Sequence, residues 1–262
     1  MSPFVVRIHK LAPVTIALLV LSACSGEDSP PAASTPPPGA VRVDDAKAGT
    51  VAGRVLFEGT PPRNPSVQVG SDPICAREHA GGLTHETVVV SNGGLENVFV
   101  YVKDGLDNYY FDTPTEPVQL DQRGCRYTPH VIGVRTGQPI EIINSDDTMH
   151  NVNAQAKVNR GFNFPQVIKG LRQKRTFTAR EVMVTFKCDV HPWMNAYAGV
   201  MDHPYYAVTA NGGTFELKNV PAGTYTIEAW HERLGTQGQT VTIGEKESKA
   251  INFTFAPPAT TP

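Results

Sequence analysis

From Gly49 onward the chain is a series of short runs of β-type residues, each stopped within a few positions by Gly, Pro, Asn or Asp. No apolar repeat of 3.6 residues persists through this stretch, so helical bundles and alternating α/β layers are excluded and an all-β architecture remains. Val51-Ala52-Gly53-Arg54-Val55-Leu56-Phe57, closed by Glu58-Gly59-Thr60-Pro61-Pro62, reads as a first strand and its turn. Val88 to Val90 and Val98 to Val102 read as strands around the turn Asn92-Gly93-Gly94. A ladder closes the chain: Tyr206 to Thr209, Thr214 to Leu217, Thr224 to Trp230, Gln239 to Ile243 and Ala250 to Phe255, with turns at Asn211-Gly212-Gly213 and Pro221-Ala222-Gly223. With 262 residues and 40% hydrophobic content, two ordinary β domains are expected.

Inside this pattern sits Cys188-Asp189-Val190-His191-Pro192-Trp193-Met194, a thiolate, an imidazole and a thioether at spacings of three. Those soft and borderline donors suit a type 1 copper site once a second imidazole is added. His150 is the candidate, because it follows the strand-like Pro139-Ile140-Glu141-Ile142-Ile143 in a loop. His150, Cys188 and His191 are therefore expected as equatorial ligands of one copper per chain, with Met194 as the long axial ligand. Such a set accepts Cu(I) and Cu(II) alike. Competing readings are zinc in the same donors, or a buried Cys188 acting as a small hydrophobe with Met194 filling the core.

The surrounding sequence resembles the cupredoxins of the amicyanin and plastocyanin type. Tyr127-Thr128-Pro129 and Gly137-Gln138-Pro139-Ile140 match the family's early strands, Asn144 to Val152 its first His loop, and Val182 to Lys187 the strand leading into Cys188. Cys-x-x-His-Pro-aromatic-Met has the spacing of the short amicyanin ligand loop. The resemblance implies a Greek-key β-sandwich over residues 118–203. Asn144 and Asn151 are expected to hold the ligand loops by hydrogen bonds, Pro192 to restrict the loop, and Pro192 with Trp193 to form an apolar collar where the His191 edge meets a redox partner.

Gly213-Thr214-Phe215-Glu216-Leu217 and Val220-Pro221-Ala222-Gly223-Thr224-Tyr225, with the upstream Gly49-Thr50-Val51-Ala52-Gly53-Arg54-Val55, resemble the carboxypeptidase regulatory-like module. That resemblance implies a second sandwich, Ig-like or transthyretin-like, without peptidase chemistry. Its first strands are expected in residues 47–117 and its last in 204–256, with the copper segment inserted between them and 257–262 as a tail.

Arg7, His9 and Lys10 precede the apolar run Val14 to Leu21, which ends in Leu21-Ser22-Ala23-Cys24. This resembles a bacterial lipoprotein signal over residues 1–23, implying cleavage before Cys24, lipid on its thiol and, since Ser25 follows, the periplasmic face of the outer membrane. The apolar run is shorter than the ~20 residues of a membrane span. Residues 24–46, rich in Pro and Ser, read as a tether.

Cys75 and Cys125 remain. In an oxidising envelope they are expected to form a disulfide, the alternative being a second metal site built on Cys75 with His79 and Cys125 with His130. With 23 Lys plus Arg against 25 Asp plus Glu, no nucleic-acid surface is indicated. There is no nucleophile elbow, phosphate loop or His-Glu-x-x-His, and Asp146 and Asp147 read as loop solvation, so no enzyme is expected. The expected role is single-electron transfer between redox partners, such as a cytochrome or dehydrogenase. The alternatives are a non-redox binding scaffold with a structural or vestigial metal site, or copper storage and delivery.

Overall fold

The computed structural model describes Pro36 and residues 38–257; the expected leader, Cys24 and most of the tether lie outside these residues, as does most of the tail. The described chain is all-β apart from one six-residue helix, and it is built as two sandwiches.

In the metal-type sandwich, one sheet runs Arg172–Thr176, Pro139–Asn144, Val118–Gln122, Tyr127–Thr128. The facing sheet runs Phe162–Gln166, His150–Gln155, Glu181–Lys187, Asn195–Met201, Val131–Arg135. Alternation along the strands sends Leu120, Ile140 and Ile142 inward from one sheet and Val152, Val184 and Phe186 from the other, all fully buried. Phe162 stacks on Phe164 and Phe177, and Phe186 meets Phe162 and Phe177 edge-on, with ring centroids 5.6 to 6.3 Å apart.

The second sandwich draws on both sides of this insert. Gly49–Phe57, Val90–Ser91, Gly94–Leu95, Thr214–Val220 and Ser248–Phe255 form one sheet; Tyr206–Val208, Phe99–Asp104, Gly223–His231 and Gly235–Ile243 form the other. The first strand pairs in parallel with the last, Thr50 opposite Ser248 through Phe57 opposite Phe255. This close approach explains the glycine at position 53, where a Cβ would lie 1.6 Å from the Ile251 carbonyl oxygen. Phe99, Tyr101, Val131 and Met201 join the two sandwiches, with Tyr197, Tyr206 and Trp230 packed around them.

Residues 66–84 depart from the expected plan, which counted them with the first strands of the second sandwich. Ser66–Val67 pairs with Leu83–Thr84, and between them the helix Pro73–Glu78 starts from the N-cap Asp72, whose Oδ1 accepts from the Ile74 and Cys75 amides. Cys75 is buried in the core of the metal-type sandwich and is disulfide-bonded to Cys125. The segment thus forms a cover on that sandwich, fastened at its helix.

Candidate metal centre

His150 opens the strand His150–Gln155, and Cys188 follows Glu181–Lys187. The intervening ligand loop closes on itself: the Cys188 amide donates to the Met194 carbonyl and the Met194 amide to that of His191. His150 Nδ1 lies 2.9 Å from His191 Nδ1, which lies 3.8 Å from Cys188 Sγ. A first-row ion with nitrogen at about 2.0 Å and sulfur at about 2.3 Å needs its donors ~3.3–3.6 Å apart. The observed separations straddle that range, and the three side chains are at most 2% exposed, so the donor set fits one ion. Met194, 2% exposed, packs in the same cluster as Cys188.

The loops are held as much by amides as by side chains. Cys188 Sγ accepts from the backbone N–H of Asn151 and of His191, both at 3.4 Å. Asn151 Oδ1 accepts from the Asp189 amide, and its Nδ2 donates to Asn163 and Phe164. Asn144 Nδ2 donates to the Thr148 and Gln166 carbonyls, while its Oδ1 accepts from the Asp146 amide. Burial raises the Cys188 thiol, but hydrogen bonds from both imidazoles and two amides outweigh it and bring the group down to about 6. Burial works against the His150 imidazolium, and Asp146 with the Cys188 thiolate overcome it, lifting His150 to about 9. The pocket therefore favours thiolate over thiol, the form a metal requires.

Two residues that sequence reasoning missed complete the site. Asp146 Oδ2 meets His150 Nε2 at 2.9 Å, and Asp72 Oδ2 meets His191 Nε2 at 3.1 Å. Asp146 was expected to be loop solvation, yet it is 3% exposed because its carboxylate also accepts from the Gly124 and Cys125 amides. Asp147 does face solvent, against Lys169. Asp72-Pro73 carries a helix-start signature, but nothing local points to a histidine 119 residues away.

The expected collar is also different. His191 is 1% exposed because Asp72 and Cys75 of the cover lie against its Nε2, Cys75 Sγ at 3.8 Å. Trp193 is half-buried, its ring centroid 5.0 Å from that of His191 and its Nε1 donating to the Cys125 carbonyl. Pro192 is exposed. The apolar surface near the ligands comes from Met149 and Val190, each one residue before a ligand histidine and 43% and 39% exposed. Met201, by contrast, is buried.

The other candidates separate. With Cys75 and Cys125 joined, His79 bonds the Gly124 carbonyl and His130 bonds Glu232, so neither pairs with a free thiol. His203 and His231 are both 2% exposed.

Residues 178–251 match a family model described as polysaccharide lyase family 4, domain II. No curated protein matches the chain. Among solved structures, a copper-containing nitrite reductase from Thermus scotoductus SA-01 is 19% identical with a TM-score of 0.32, over 39% of this chain and 26% of that one. The chain thus spans about a quarter of that reductase. An oxidised amicyanin variant is 24% identical with a TM-score of 0.30, over 32% of this chain and 81% of its own. A purple cupredoxin from Nitrosopumilus maritimus is 20% identical with a TM-score of 0.28, over 32% and 98%.

Proposed function

We propose that the protein binds one copper ion through His150, Cys188, His191 and Met194 and carries single electrons, as a lipid-anchored protein facing the periplasm from the outer membrane. The observation behind this reading is the convergence of two inward-facing imidazole Nδ1 atoms and a thiolate-favouring Cys188 in one buried pocket. When bound in such a set, copper supplies a one-electron couple whose two states accept the same ligands. The chain supplies the rest. Its core excludes water, Asn144 and Asn151 hold the two ligand loops in register, and the amides of Asn151 and His191 stabilise the sulfur's charge. Pro192, Met149 and Val190, all exposed, offer the redox partner a surface.

A second reading, a structural metal site within a binding scaffold, is favoured by one observation, the 1% exposure of His191 beneath the cover. Visible absorption and electron paramagnetic resonance of the full chain with one equivalent of Cu(II) separate the two. An intense sulfur-to-copper band with small parallel hyperfine splitting, lost in Cys188→Ser, is the expected result. A colourless protein with an ordinary tetragonal signal would refute the electron-carrier reading.

A further inference from the structure

Each imidazole at the centre turns Nδ1 inward and sets Nε2 on a carboxylate. Both carboxylates are themselves fixed. Asp146 accepts from the Gly124 amide at 2.7 Å and the Cys125 amide at 2.8 Å. Asp72 accepts from the Ile74 amide at 2.7 Å, the Cys75 amide at 3.0 Å and the Thr148 hydroxyl at 2.6 Å. One amide in each set belongs to a half-cystine, and the Cys75–Cys125 disulfide joins them. A closed circuit results: His150, Asp146, Cys125, Cys75, Asp72, His191 and back to His150. A carboxylate on the outer nitrogen of a ligand histidine fixes its tautomer and makes its inner nitrogen a stronger donor. Two carboxylates and one thiolate around a poorly screened site also favour a doubly charged ion over a singly charged one.

We propose, building on the copper reading above, that Asp72 and Asp146 are positioning residues, a disulfide-braced carboxylate pair that holds both histidines as Nδ1 donors and biases the site toward the divalent ion. Asp72 belongs to the cover, so this sets a second task for residues 66–84 besides shielding His191.

The test compares Cu(II) and Cu(I) affinities of the full chain with those of Asp72→Asn, Asp146→Asn and Asp147→Asn. Asp147 sits next to Asp146 but faces Lys169 at the surface, so Asp147→Asn makes the same charge change without touching an imidazole. Removing such an outer partner costs about 10- to 100-fold in metal affinity. The expected result is at least a tenfold fall in the Cu(II)-to-Cu(I) affinity ratio for Asp72→Asn and Asp146→Asn, an upward potential shift of about 59 mV per tenfold. Asp147→Asn is expected to stay within threefold of the parent. Equal shifts in all three variants, or none in Asp72→Asn and Asp146→Asn, would overturn the proposal. Should Asp146→Asn fail to fold, Asp72→Asn decides against the same control, since asparagine still caps the helix. If the parent lacks the sulfur-to-copper band, the copper reading falls by itself, and Co(II) affinity then judges the carboxylates. A tenfold loss in Asp72→Asn but not Asp147→Asn supports them, and equal affinities refute them.

Discussion

Reducing the Cys75–Cys125 disulfide in the metal-free protein should cost about 4 kcal/mol of stability. The bond closes a loop of sequence separation 50, running from the cover through Phe99–Asp104 of the second sandwich to the metal-type sandwich. Loop closure of that length removes about 14 cal/mol/K from the unfolded chain, or about 4 kcal/mol at 25 °C. Reduction leaves both sulfurs in place, so the fully buried Cys75 and Cys125 sites open no cavity and the change falls mainly on the unfolded state. Urea unfolding of the oxidised and reduced chains measures it directly. The reduced chain should show a lower midpoint and a steeper slope, because the released loop exposes more surface on unfolding. For a chain of this size the thermal midpoint should drop by roughly 10 °C. A difference below about 1 kcal/mol would refute the reasoning, because the cover would then be held by packing alone.

Burial holds His231 down to about 4 against an ordinary 6.5, and His203 likewise. The unfolded chain therefore takes up protons that the folded one refuses. The histidines' contribution is full above pH 6.5, shrinks as pH drops and levels off near 4, a change of roughly 3 kcal/mol for each histidine. A flat urea midpoint between pH 6.5 and 4.5 would contradict this. Asp72, held down to about 2 by Thr148 and amide hydrogen bonds against the opposing effect of burial, loses its contribution only at lower pH, which keeps the windows apart. Gly199→Ala would bring a Cβ to 2.3 Å from the Phe99 ring between the sandwiches. A loss of about 1–3 kcal/mol is expected, and a neutral result in a melting experiment would show that Phe99 can move aside.

The sequence disclosed most where the signal was local. The ladder from Thr214–Val220 through Gly235–Ile243 was legible because turn residues and period-two alternation lie side by side in the chain. The seven-residue ligand loop was legible for the same reason. The cover was not: two two-residue strands and a six-residue helix are too short for periodicity, and a distant disulfide fastens them. Asp146 and Asp147 look alike in the chain, and only the turn that aims the first at the Gly124 and Cys125 amides separates buried from exposed. The burial of His203 and His231 depends on packing that no single residue announces.

The parallel pairing of Gly49–Phe57 with Ser248–Phe255 also sets an order of assembly. The chain's earliest strand cannot be completed until its latest has been made, about 200 residues later, and contacts that distant form slowly. A chain emerging N-terminus first would carry Val51 and Val55, both fully buried in the finished protein, on an incomplete edge throughout. The metal-type sandwich, complete by Met201, has every strand it needs before that edge is closed. Loss of the final strand would thus strike the oldest part of the molecule first and leave its neighbour with an aggregation-prone companion.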